Sequence, residues 1–381
     1  MPKLVILTSD DWYFLSHRLP MASAAKSMGM DVVVVTSGGP RVSEIEELGY
    51  RHIQLDAISR MHKGLLKSLR LAFVLRGFLN KEKPDLVLNV GLRLAVLATV
   101  GNFPRNRPEI INLIAGLGYL FTSNRLHARI LGPFIKFVMR FIFRRRNVHL
   151  ITQNRDNFEF FHCDIVGHDR RLTLIAGSGV DPDRFKPVNQ PETPLIVTLA
   201  GRMIWSKGIR EFVGAAKILK KMYPDIRMVL VGVPDAANRE SIPVETLRKW
   251  DNDSLIEWWG FETNIAETWN RTSISVVPTW YGEGIPKVLL EAGACARPVI
   301  ASNISGCNDV IEDGVNGILI PSRSVQAIVD AVSRLVESPE EREAMGARLR
   351  ETVRDNHSNA ITHQATKELL EKITAEMAET P

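Results

Sequence analysis

A chain of 381 residues, 45% of them apolar and 24% charged, has room for two or three domains with large cores and lacks the composition of a disordered or fibrous protein. Three cysteines, Cys163, Cys295 and Cys307, have neither paired nor metal-ligand spacing, which argues against a disulfide scaffold and reads as ordinary thiols in a reducing compartment. No uncharged apolar stretch reaches the ~20 residues of a spanning helix, and the opening Met1-Pro-Lys-Leu-Val-Ile-Leu7 is too short for a signal peptide, so the expectation is a cytoplasmic protein.

The charge is unevenly spread. Residues 1–190 carry 27 Lys and Arg against 16 Asp and Glu, whereas residues 191–381 carry 21 against 27. Between 57 and 147, 17 basic residues face only Glu82, Asp85 and Glu109. A first half this polarised calls for an anionic partner.

In chain order, apolar runs predict strands near 3–8, 31–36, 86–90, 109–114 and 148–152, with helices near 16–28, 63–82, 93–101 and 126–146 between them. Pro133 is placed to break the last of these helices in two. The alternation is that of βαβ units in a parallel sheet. Asp181 to Pro194 holds four prolines and little periodicity and reads as a linker. A second series of strands follows near 195–200, 226–231, 255–258, 274–277, 298–301 and 317–320. Late helices are expected near 324–337, 339–351 and 358–378. The division this suggests is 1–184, 185–355 and a C-terminal segment 356–381.

Two loops of the second half carry chemistry. Gly201-Arg-Met-Ile-Trp-Ser-Lys-Gly208 follows the strand at 195–200, placing Arg202 and Lys207 at a carboxyl sheet edge, where ligands of open α/β sheets bind. Two cations there suit a diphosphate. Tyr281-Gly-Glu-Gly-Ile-Pro-Lys-Val-Leu-Leu-Glu-Ala-Gly293 sets Glu283 in a Gly-rich turn and Glu291 in an apolar helix. Backbone N–H groups of such a turn are open to an anion, and the carboxylates accept from hydroxyls. Donors for phosphate beside acceptors for hydroxyls fit a nucleotide-sugar. Trp205, inside the first loop, is expected to pack between domains.

Gly201-Arg202, Lys207-Gly208, Glu283-Gly284, Pro286, Leu290-Glu291-Ala292, Pro298-Val299-Ile300 and Asn316-Gly317 together resemble the retaining glycosyltransferases of family 4. Gly177-Ser-Gly-Val-Asp181 and Phe185-Lys-Pro187 extend the match over most of the chain. The resemblance implies an α/β GT-B fold: two Rossmann-like, doubly wound domains across a cleft, with the last helix crossing back to the first domain. It implies that Arg202 and Lys207 hold the donor diphosphate, that Glu283 contacts the transferred sugar and that Glu291 holds the ribose hydroxyls. Gly201, Gly284 and Ile285 would offer backbone to the donor, and the fixed angle of Pro286 suits the first helical turn. It also implies retention of configuration with no cofactor beyond the UDP-sugar co-substrate and no metal. Two Asp-x-Asp triplets, 181–183 and 251–253, lie away from the phosphate loop and read as turn residues.

Many relatives carry a histidine in a first-domain loop that here reads Ile114-Ala-Gly-Leu-Gly-Tyr-Leu-Phe121, without one. That loop, with Gly116 and Gly118, and Arg18-Leu-Pro20 resemble a subgroup that builds bacterial surface polysaccharides and glycans on polyprenyl diphosphate. His17 and Arg18, after the first strand, are candidates to meet an acceptor diphosphate.

The basic band has its own pattern. Arg125, Arg129, Lys136, Arg140 and Arg144 fall on one helical stripe, continued by Arg145 and Arg146, and 60–83 repeats the theme with Arg60, Lys63, Lys67, Arg70, Arg76, Lys81 and Lys83. Basic amphipathic helices bind anionic membranes, at about 1 kcal/mol per well-placed cation. Nucleic acid is the rival, but no recognised nucleic-acid motif accompanies the charge, and the phenylalanines read as parts of apolar faces. The expected location is therefore the cytoplasmic face of the cell membrane. A nucleotide-sugar isomerase of the same fold has no need of such a band, and a non-catalytic binding protein has no need of Arg202, Lys207 and Glu283 together.

Overall fold

A computed structural model describes residues 1–379 other than 61–63, 103–107, 117–125, 168–170 and 190–193. The chain divides into two compact units: Met1–Gly179 with Asn359–Pro381, and Val180–Ser358. The division falls at 179/180 and 358/359 rather than at 184 and 355, and the C-terminal helix is part of the first unit.

In the first unit the elements run β1 (Lys3–Leu7), α1 (Asp11–His17), α2 (Leu19–Ser27), β2 (Asp31–Thr36), α3 (Val42–Glu47), β3 (Arg51–Gln54), α4 (Leu65–Glu82), β4 (Leu86–Val90), α5 (Leu92–Gly101), β5 (Glu109–Ile114), α6 (Leu126–Phe143), β6 (Val148–Thr152), α7 (Arg155–Phe160) with a π-helical turn Phe161–Val166, and β7 (Leu172–Leu174). All seven strands are parallel, in the order β3-β2-β1-β4-β5-β6-β7. Strand β1 shows why its sequence is an unbroken apolar run. Leu4 and Ile6 enter one core with Met21 and Ala22 of α2, while Val5 and Leu7 enter the opposite core with Leu71 and Leu75 of α4. A strand covered on both faces has no polar alternation.

The expected helix 16–28 is instead two helices, α1 and α2, meeting at Arg18. Pro20 has no N–H to give the preceding turn, so the helix restarts around it. The expected break at Pro133 does not occur; α6 runs through it, with Pro133 on its exposed side, where water can replace a lost backbone bond.

The second unit runs β8 (Ile196–Ala200), a 3₁₀ turn Trp205–Lys207, α8 (Ile209–Met222), β9 (Arg227–Val231), α9 (Val244–Asn252), β10 (Glu257–Gly260), α10 (Ile265–Arg271), β11 (Ile274–Val277), α11 (Lys287–Ala294), β12 (Val299–Ser302), β13 (Ile318–Ile320), α12 (Val325–Glu337) and α13 (Pro339–His357). Its parallel sheet has the order β10-β9-β8-β11-β12-β13. Chain order reverses between β8 and β11, so the loops leaving these neighbours flank the sheet's switch point, where ligands of open α/β sheets bind. The first unit has the same reversal between β1 and β4. The last helix, α14 (Asn359–Glu379), packs on α2 and contributes Leu369, Leu370 and Ile373 to the first core.

Candidate active site

The loop after β8 is anchored residue by residue. Gly201 N–H donates to Val231 O at 2.9 Å and Met203 N–H to Val233 O at 2.9 Å, with the Met203 side chain fully buried. Arg202 projects between these anchors, and its Nη1 donates to Asp235 Oδ2 at 2.8 Å. Lys207 closes the 3₁₀ turn, and its Nζ donates to Glu283 Oε1. A Cβ on Gly201 would meet Lys207 Cε at 3.9 Å, so the lysine stem lies against the start of its own loop.

The Glu283 loop is fastened to this turn. Trp280 N–H donates to Ser206 O at 3.1 Å, and Thr279 Oγ1 to the same oxygen at 3.1 Å. Gly208 follows at φ +74°, where a Cβ would collide with the Pro278 carbonyl. Only glycine permits this approach, and it fixes the distance between the two loops. From the other side Gly306, at φ +87°, presses on the Gly284 and Glu283 carbonyls. Cys307 is buried beside this turn; burial, reinforced by Glu283, pushes its thiol up to about 12, and Cys295 is pushed up to about 12 by burial as well. Both thiols are therefore inert at neutral pH.

Thus Gly201, Lys207, Glu283 and Gly284 stand together at the switch point, while Arg202 leaves the same loop toward Asp235 beyond β9. Sequence reasoning missed Asp235, the carboxylate that orients Arg202. It stands four residues past β9, in the order carboxyl-end-of-strand then acid, but nothing local marks its partner. Ile285 is buried, and Pro286 stands just outside α11 as its N-cap, its carbonyl accepting from Leu289 N–H at 3.1 Å. Glu291 lies in α11 at 7% exposure, where the charges of Lys287 and Arg184 act on it. Burial raises its carboxyl above the usual range, and the two cations only partly offset this. Neither cation joins it to the Lys207–Glu283 pair. Trp205 lies on the second unit's core, edge-on to Trp250 at 6.1 Å and under Arg210 at 4.9 Å. Asp181 Oδ1 accepts from Asp183 N–H at 2.9 Å in a turn, whereas Asp251 lies in the last turn of α9.

The first unit corrects the placement of Arg18. The residue is fully buried instead of open, with Nη2 donating to Tyr13 Oη at 2.8 Å and Gln153 Oε1 at 3.1 Å. His17 is half-buried, its ring stacked on Tyr13 at 4.4 Å and its Nδ1 2.6 Å from Ser16 Oγ. Gly116 is half-buried just past β5, and Gly118 lies outside the described residues.

The basic band is also rearranged. Arg125 and Lys63 lie outside the described residues, and Arg129 is on α6. Lys136 is paired with Asp164 at 2.8 Å, so its charge is neutralised. Arg140 and Arg144 are exposed and donate through Nε to the carbonyls of Asp164 (2.7 Å) and Ile165 (2.8 Å), which leaves their charge intact. Arg145 is half-buried and Arg146 exposed. The phenylalanines are not confined to apolar faces: Phe137 and Phe141 are 66% and 63% exposed, and on α4 Phe73 is 75% exposed beside exposed Leu66, Leu69, Lys67 and Arg70. No helix among the described residues is long and apolar enough to cross a membrane.

The comparisons follow the two units. The family described as Glycosyl transferase 4-like matches residues 3–155, and that described as Glycosyl transferases group 1 matches 180–352. The chain is 23% identical over 346 residues to N,N'-diacetylbacillosaminyl-diphospho-undecaprenol alpha-1,3-N-acetylgalactosaminyltransferase of Campylobacter jejuni subsp. jejuni serotype O:2, covering 85% of this chain and 89% of that one. It is 22% identical to UDP-Gal:alpha-D-GlcNAc-diphosphoundecaprenol alpha-1,3-galactosyltransferase of Escherichia coli, covering 72% of each. Among solved structures, sucrose-phosphate synthase from Thermosynechococcus elongatus superposes with a TM-score of 0.79 at 18% identity, covering 99% of this chain and 100% of that one. Anabaena HepE in complex with UDP superposes with a TM-score of 0.77 at 15% identity, covering 98% and 100%. With a 4-like first unit, a group 1 second unit and GT-B relatives along its whole length, the chain belongs to the GT-B glycosyltransferases and is an enzyme of that class.

Proposed function

We propose that this enzyme moves a hexose or N-acetylhexosamine from a UDP-sugar to a saccharide carried on polyprenyl diphosphate, with retention of configuration and without a resident metal, at the cytoplasmic membrane face. The observation that carries the reading is the pairing of Lys207 with Glu283 and of Arg202 with Asp235, both cations on the loop that leaves β8 at the switch point. Each cation is held by a carboxylate that an incoming diphosphate can replace. The bound UDP of the HepE complex and the lipid-diphosphate acceptors in the names of the C. jejuni and E. coli relatives support the choice of substrates.

In this reading the donor's diphosphate takes Lys207 and Arg202 from their partners. The two cations then neutralise the charge that grows on the leaving group as the sugar–oxygen bond breaks. Glu283, released from Lys207, accepts from hydroxyls of the transferred sugar, and the backbone N–H groups of Gly284 and Ile285 face the sugar and phosphate. Glu291 holds the ribose. The departing phosphate oxygen takes the acceptor's proton, so no protein base is required.

The exposed Phe73, Phe137 and Phe141 beside Arg70, Arg140 and Arg144 support membrane contact, since an interfacial helix needs apolar rings beside uncompensated cations. The test is incubation with bacterial lipid extract and a panel of labelled UDP-sugars. Label should pass into the lipid fraction from one donor. If no donor is transferred or hydrolysed, the reading is wrong; if a UDP-sugar is interconverted with no lipid labelled, the isomerase reading takes its place.

A further inference from the structure

Arg18 is a buried cation short of partners. It has 0% exposure, and among the described residues no carboxylate pairs with it. Among the described residues its acceptors are Tyr13 Oη and Gln153 Oε1, both neutral and both taking Nη2, and the guanidinium lies 5.3 Å from the centre of the Tyr13 ring; Nε and Nη1 have no acceptor. Asp11, the buried acid in the same loop region, is committed to the backbone N–H groups of Trp12 and Arg41, at 2.7 Å each. Among the described residues the other fully buried arginine is differently placed: Arg297 meets three backbone carbonyls and leaves a single nitrogen over. Burying a guanidinium without a counter-charge is unfavourable, so a fold that keeps one has a use for an anion there.

Loops at the same sheet edge also hold unpartnered hydroxyls. Gln153 follows β6 and donates to Gly177 O, and the hydroxyls adjacent in sequence, Thr152 Oγ1 and Ser178 Oγ, are buried without partners, as is Thr8 Oγ1 at the end of β1. All four positions lie at the carboxyl end of the first sheet, and Arg18 follows β1, one of the two strands at its switch point.

We propose that Arg18 forms a second anion site, in the first unit, that takes the diphosphate of a lipid-linked diphosphate ester. Nε and Nη1 open in different directions around the guanidinium, which suits oxygens on two phosphates better than the fork of one carboxylate. The identity of the ligand rests on the proposed transfer to a lipid-linked acceptor; the anion site itself rests on Arg18. Because solvent does not reach the guanidinium, the ligand must displace a covering group, and association is expected to be slower than for an open site.

The experiment is calorimetric titration of the full chain, with UDP held at saturation so that the second unit is occupied. Inorganic pyrophosphate and farnesyl diphosphate are the two probes. Wild type is expected to bind both, farnesyl diphosphate more tightly; Arg18→Met should weaken both at least ~10-fold with UDP affinity unchanged, the loss of about one charge-assisted contact. Arg18→Lys, which keeps the charge with fewer donors, should fall between them and serves if the methionine variant does not fold. Equal binding by wild type and both variants, or no binding of either probe to the UDP-saturated protein, overturns the site. Binding of pyrophosphate but not of the farnesyl ester overturns its assignment to a lipid. Normal Arg18-dependent binding in a protein that transfers no sugar would defeat the proposed transfer while leaving this site standing.

Discussion

Lys207 and Glu283 hold each other through a contact that, in the proposed reading, a bound diphosphate has to break. If Lys207 meets the leaving group as proposed, Lys207→Met removes that charge, and kcat/KM is expected to fall by roughly 10²–10³, the scale for one preorganised transition-state donor. Steady-state kinetics with the UDP-sugar that labels lipid would check it; a change confined to KM would mean that the lysine only binds. Glu291 yields a prediction with two signs. Its carboxyl titrates above the ordinary 4.5 because burial disfavours the charged form. The native state therefore keeps a proton that the unfolded chain gives up, so its contribution to stability is full below about 4.5 and is lost as pH rises through the folded value. Glu291→Gln is neutral throughout. It should melt higher than wild type near neutral pH, by roughly 2–4 °C for each kcal/mol gained, and flatten the acid side of the stability profile. The same change should raise KM for the donor about 10-fold if the carboxylate holds the ribose. Calorimetry across pH with parallel kinetics separates the two effects.

At the scale of elements, α4 and α6 present rings and cations together. Phe137 and Phe141 lie four positions apart on α6, one turn above the other, with Arg140 exposed on the same helix and Arg144 exposed in the turn that follows it. Replacing both rings by Asp is expected to release the protein from anionic vesicles in a sedimentation assay without lowering its melting temperature, since exposed side chains hold no core. Unchanged sedimentation would show that these rings do not enter the bilayer. Such elements also mark what the sequence made legible. The central strands were readable because burial on both faces makes them continuous apolar runs, as in Leu4–Leu7 and Val32–Val35. The edge strands β3 and β7 were not, being four and three residues long, with Arg51, His52 and Gln54 in β3 partly open to water. The loop glycines and Lys207 were legible because a positive φ and a strand end leave local marks; Gly208 has φ +74°. Asp235, the neutralising Asp164 beneath α6 and the burial of Arg18 were not, because each depends on a partner 28 to 135 residues away. Exposure of Phe137 and Phe141 was hidden for the same reason: a periodic pattern shows which residues share a face, not whether another element covers it.

At the scale of the molecule, each unit has its own sheet and core, yet the first is completed by the last helix. Leu369, Leu370 and Ile373 of α14 are 5%, 2% and 1% exposed and pack in the core that holds Leu4, Ile6 and Met21. The second unit's core contains none of them. Truncating Leu370 and Ile373 together to Ala should therefore weaken the first unit, at about 2–5 kcal/mol for each buried side chain lost. The proposed donor loops stand on β8 and β11, outside that core, so UDP should still bind the variant with wild-type affinity. UDP also labels the transitions: a ligand lifts only the melting of the unit that binds it. Calorimetry of the full chain should thus show the UDP-sensitive transition unchanged and the other lowered by several degrees. If the double variant instead lowers both transitions equally, or loses UDP affinity, then α14 supports the donor loops as well, and the two cores are one cooperative structure despite their separate sheets.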